Sequence, residues 1–255
     1  MMEAAGLGGK VMQLVLVPGL LASGIGYLVF LGLDSITGFG TFSLAVPSMP
    51  AFSGITVSNM VLAVVMGIVA PFLAFAIKSF GWSIRRFVER RVLLATTVAG
   101  LIVGLLAASY SAITDESSRF ILFSGQDQMG PLISEEASLT TGALLLMILV
   151  KSLGYGISIA SFRGGMTFPA IFIGAAIGVQ IAHWTSTPLV AAVAIGMAAM
   201  TVAMLRMPFA SVLITTLLMG ADGVAVMPLV IIAVVLSFAV SARLPEFDLA
   251  SHSAT

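Results

Sequence analysis

SFRGGMTFPAIFIGAAIG, residues 161–178, joins two glycines to a proline and then to an apolar run rich in glycine and alanine. Gly164 and Gly165 let the backbone take conformations that other residues avoid. Pro169 suits the first turn of a helix, where its missing N–H costs nothing. The leading N–H groups of such a helix have no internal partner and lie at the positive end of the helix dipole. The backbone from Gly164 and Gly165 through Met166, Thr167 and Phe168 to Pro169 is therefore a candidate anion site. Long apolar runs flank it, which puts the site at membrane depth.

Composition sets the class. Of 255 residues, 59% are hydrophobic and 9% charged, with 26 glycines; mean hydropathy is +1.15. A soluble domain carries far more charge, so the chain reads as an all-α integral membrane protein. Formal net charge is zero, so nothing in the charge points to nucleic acid. The chain has no cysteine, and its two histidines, His183 and His252, lie far apart. No metal site or cofactor is expected.

Outward from the opening stretch, the apolar segments and their charges suggest a topology. Residues 11–33 carry no charge and are long enough to span. Residues 34–57 read as a loop without Lys or Arg. A second span at 58–77 precedes a basic stretch with Lys78, Arg85, Arg86, Arg90 and Arg91 against Glu89, read as a solvated loop that stays cytoplasmic. Residues 92–113 span again. Residues 114–141, with Asp115, Glu116, Asp127, Glu135 and Glu136 against Arg119, fit an outside loop. Residues 142–160 return. The 42 residues from 164 to 205 lack Asp, Glu, Lys and Arg; two spans fit, broken at HWTSTP, 183–188. Residues 209–219 are too short to span, GADG at 220–223 is a turn, and 224–240 is the last apolar segment. The expectation is about seven or eight hydrophobic helices, several broken or re-entrant, in a membrane domain over 1–243, with a polar, disordered tail at 244–255. Short, interrupted segments of this kind mark channels and transporters.

Three side chains stand out. Lys151 lies in the middle of a span, where a lysine costs ~2.5–3.5 kcal/mol unless it finds water or a partner. It is either a pore-lining residue or one paired with an acid elsewhere. Arg163, just before the glycines, either draws anions toward the site or pairs with an acid. His183, beside Trp184, reads as an interface position. Gly174 and Gly178 form GxxxG, which permits close helix packing.

These residues resemble the CLC chloride channel and proton/chloride antiporter family. GGMTFP at 164–169 with AIFIGAAIG at 170–178 is similar to the signature GGxFxP and its Gly-rich helix. Residues 58–91, with Gly67 and Pro71, resemble a helix before the family's dimer-facing region. Ser124-Gly125 followed by Pro131 resembles a Gly-rich turn. GMAAM at 196–200 with RMPF at 206–209 resembles GMAAxxAxxxRAPLT. The resemblance covers about residues 1–240. It implies one inverted-repeat half of the CLC fold, the second, with the segments GSGIP and GKEGP unmatched. It further implies chloride or a similar small anion as substrate, a homodimer, the missing N-terminal half as partner, the lipid bilayer, and a plasma (inner) membrane location. Glu3 falls near the region where antiporters keep a proton-pathway glutamate. No tyrosine follows Tyr155 to match the family's pore tyrosine, and Thr167 stands where the family has Phe.

Other classes fit less well. A different secondary transporter needs carboxylates inside spans, and Asp222 is the one candidate. An intramembrane aspartyl enzyme needs a second aspartate within a span, which the chain lacks, so no enzymatic activity is expected. A non-conducting membrane subunit is the remaining alternative.

Overall fold

The computed structural model describes residues 10–38, 45–46, 49–50, 52, 54–162 and 165–247, with the backbone alone for 10–16 and 86. Among these residues there are nine α-helices and no strand. Six are long and apolar enough to cross a membrane, and two are shorter apolar helices, in keeping with the helical membrane fold read from the sequence. The chain divides into two compact units, 1–45 and 46–255.

The first unit holds α1, Lys10–Thr37, with Pro18 inside it. The helix stops where Gly38 turns left-handed (φ 67°) and its N–H reaches the Asp34 carbonyl, a helix-ending geometry that glycine adopts without strain.

The second unit begins its helices with α2, Val57–Arg90, capped by the Thr56 hydroxyl. Here the structure corrects the expectation of a span ending at 77 and a solvated loop after it. The 34-residue helix runs unbroken through the basic stretch and is about 51 Å long. Lys and Arg are good helix formers. Arg85 pairs with Glu89 one turn on (2.7 Å) and lies over the Trp82 ring. Gly81, the one weak helix former there, is held by packing on the Gly156 backbone.

Next come α3, Val92–Thr114; α4, Met129–Ser134; and α5, Thr141–Ser161. The helix α4 and two 3-10 turns occupy what the sequence reads as an outside loop. Then α6, Thr167–Trp184, and α7, Leu189–Leu205, form a helical hairpin, broken within 183–188 as expected. Last are α8, Pro208–Leu218, and α9, Gly223–Ser241. Residues 244–247 do not behave as a free tail. Glu246 pairs with Arg206 at 3.0 Å, and the Phe247 ring packs on Phe75 and Trp82. Residues 248–255, His252 among them, lie outside the described residues.

The centre of this unit is α7. Every residue from Val190 to Met204 is buried, and α2, α6, α8 and α9 all pack on it. A helix that is apolar all round belongs in such a place. The closest approach is to α6, where a Cβ on Gly174 would collide with the Gly196 carbonyl. One on Gly178 would come within 2.5 Å of the Ala192 carbonyl. The GxxxG of the sequence is thus the seam of the hairpin.

Gly174→Ala or Gly196→Ala forces the two backbones apart and is expected to destabilise by about 1–3 kcal/mol. Gly104→Ala, with nothing within 4 Å, leaves stability unchanged or slightly higher. Thermal unfolding in detergent checks all three.

Candidate functional site

The N-terminus of α6 is the candidate site. Met166 is its N-cap residue and no side chain caps the helix. The first four positions of an α-helix have no internal acceptor for their N–H groups. Pro169 fills one of these with no N–H at all, so Met166, Thr167 and Phe168 supply three amides. Gly165 is exposed, with open space where a side chain would stand. Arg163, Gly164 and Glu3 lie outside the described residues.

The depth of this terminus follows from one hydrogen bond. The buried Tyr155 hydroxyl donates to the Met166 carbonyl at 2.6 Å. Tyr155 lies six residues before Ser161, the last residue of α5, which is about 9 Å of helix. A helical side chain leans toward its own N-terminus, so the bond puts Met166 well short of the end of α5. The chain turns back and starts α6 inside the layer that α5 spans. Such irregular backbone is tolerated there only when buried or lining a cavity.

One turn before Tyr155, on the same face of α5, lies Lys151, 2% exposed. Its ammonium donates to the carbonyls of Ile121, Leu122 and Phe123 at 3.0, 3.0 and 3.1 Å. Its partners are backbone, neither bulk water nor the acid considered from the sequence. Three acceptors and no donor suit only the charged form, because a neutral amine has two N–H groups. All three donors are spent, so Lys151 has no N–H left for a further ligand. The charge also lies 5.0 Å from the Phe172 ring of α6, which packs on Phe120 and against Gly125. Gly125 is left-handed (φ 84°) and leaves no room for a Cβ beside Phe172. Lys151 therefore ties the 121–123 turn and the first half of α6 to α5.

The other end of α6 is also fixed. His183 Nε2 meets Glu136 Oε2 at 2.7 Å, a pair that no spacing in the sequence signalled. The Gln180 amide, oriented to satisfy both neighbours, donates to the Thr141 carbonyl and accepts from Trp184 Nε1. Asp222 is at the far end of the domain, accepting from the Phe52 N–H at 3.4 Å. Among the described residues no group of three or more His, Asp or Glu could hold a metal.

The chain matches the voltage gated chloride channel family over residues 2–242. Over 84 residues, 33% of this chain, it is 30% identical to "Putative ion-transport protein YfeO" of Escherichia coli O1:K1 / APEC. The protein of the same name in Escherichia fergusonii is similar to the same extent. The chain covers only 18% of the length of each of these relatives. No solved structure matches it.

Lys151→Met leaves three carbonyls without their donor and is expected to cost about 3 kcal/mol of stability. Tyr155→Phe removes one neutral hydrogen bond and costs about 1 kcal/mol. Denaturant unfolding of the purified chain measures both.

Proposed function

The chain belongs to the voltage gated chloride channel family, and on that premise we propose that it takes part in moving chloride, or a similar small anion, across a membrane. The observation that carries this reading is the uncapped N-terminus of α6, held inside the layer by Tyr155. Three amides and the positive end of the dipole face the space beside Gly165, and an anion there needs no further counter-charge.

Around that terminus the roles divide. Gly165 leaves room for the ion, with Gly164 next to it in sequence expected to belong to the same site; Met166, Thr167 and Phe168 donate, and Pro169 starts the helix. Lys151 adds a fixed positive charge, which favours anions over cations in a low-dielectric setting. Arg163 draws anions toward the entrance, and Glu3 belongs to a proton path if transport is coupled to protons. The family resemblance supports a homodimer, a complementary half that completes the ion path, and location in the plasma (inner) membrane. By the positive-inside rule, the end of the domain with Arg85, Arg90 and Arg91 is cytoplasmic.

Chloride efflux from proteoliposomes holding the chain together with its complementary half, driven by a potassium diffusion potential, tests the reading. Wild type is expected to release chloride. Gly165→Leu, which fills the space beside the amides, largely abolishes release, whereas Thr167→Ala, which keeps its amide, leaves most of it. Equal release by wild type and Gly165→Leu would remove α6 from the path. Proton uptake accompanying chloride release distinguishes an antiporter from a channel.

A further inference from the structure

At the basic end of the domain, α2, α7 and α9 line a partly open cavity that the transport reading does not use. We propose that this cavity is a second binding site for a monatomic anion of chloride's kind, held by Lys78, Arg206 and Ser241.

The argument is a count of hydrogen-bond donors. Lys78 Nζ has three N–H groups and gives one to the Ala203 carbonyl at 3.2 Å. Arg206 directs Nη1 to Glu246 at 3.0 Å. Its Nη2 goes to the carbonyls of Ser241 and Leu244 at 2.9 and 3.1 Å. Its Nε is buried and has no partner, and the Ser241 hydroxyl is likewise buried and unpartnered, in a residue only 3% exposed. Buried polar groups are rarely left this way, and each such case needs an explanation. All three residues line the same cavity, whose other walls include Pro71, Phe75 and Ala203.

Charge selects the occupant. Two cations line the space, and the acid that answers them, Glu246, has a side chain 71% exposed. Among the described residues, one positive charge is left over beside apolar walls. A water has two lone pairs for these donors and brings protons of its own to place. A halide accepts from every side and cancels the charge. The pocket is small, about 10 Å³, and partly open, so its size alone does not choose among small anions.

The surroundings hold the donors in place. Arg206 ends α7 in the left-handed region (φ 55°), unusual for a residue with a side chain, and thereby reaches the end of α9. The 244–247 segment lines the cavity with Leu244 and Pro245 and is fastened by Glu246 and Phe247.

Crystals of the full chain grown in bromide test this directly. The expected result is an anomalous peak within hydrogen-bond reach of Lys78 Nζ, Arg206 Nε and the Ser241 hydroxyl. In solution, replacing gluconate by chloride raises the melting temperature. Lys78→Met and the milder Ser241→Ala weaken that chloride dependence by about tenfold in apparent affinity, provided each variant unfolds cooperatively. A cavity holding ordered water with no anomalous signal overturns the proposal. A peak at α6 alone overturns it while leaving the transport reading intact. A peak at the cavity with none at α6 supports it and counts against that reading.

Discussion

The contact between Gly174 and Gly196 is the constraint from which the second unit is built. At that crossing the two backbones touch, so α6 and α7 cannot slide past each other without a clash. Because α7 is buried on every side, its position is in turn fixed by α2, α8 and α9. The amides of α6 thus take their depth from a glycine seam two turns away. This matters for an ion site, where donors must be held in place before the ion arrives. Small residues achieve that in a membrane because lipid gives no hydrophobic drive for helix association, and close packing must supply the attraction.

A second regularity concerns the cations of the interior. Lys151, Lys78 and Arg206 each direct N–H groups at backbone carbonyls. For Lys78 and Arg206 these carbonyls lie at or just beyond the C-terminal ends of α7 and α9, the negative ends of those helix dipoles. Among the described residues, Lys151 is held this way without an acid beside it, so its positive charge is not cancelled locally, whereas Arg206 also pairs with Glu246. The N-terminus of α6 presents the opposite, positive dipole end with no side-chain cap.

Much of the fold was legible because membrane helices announce themselves by length and lack of charge. The break at 183–188 and the start of α6 near Pro169 follow from turn residues and from proline's place in a first turn. The helical course of 78–90 was hidden by its charge, which marks a loop only when no tertiary contact overrides it. There Gly81 packs on Gly156, and within the helix Arg85 pairs with Glu89 one turn on. The 244–247 segment misled for a similar reason. Its polarity conceals that Glu246 and Phe247 have partners 40 and well over 150 residues earlier. The partners of Lys151 were illegible in principle. Backbone carbonyls exist at every position, so no residue type at 121–123 signals that they hold a cation. Tyr155 was unreadable as a depth marker for the same reason.

Because its donors are main-chain amides, the candidate site separates affinity from side-chain identity. Thr167 stands where the family pattern has Phe, yet the amide it contributes is unchanged. What changes is the wall, since a small hydroxyl replaces a ring near the ion and leaves more space and more polarity there. An ion that binds tightly only when fully dehydrated loses by that exchange, and one that keeps part of its hydration gains. On the proposed reading, anion preference is set at residues 165, 167 and 168, by how much water the site admits. The same reading rests the capacity to bind an anion at all on Pro169, Tyr155 and the glycine seam.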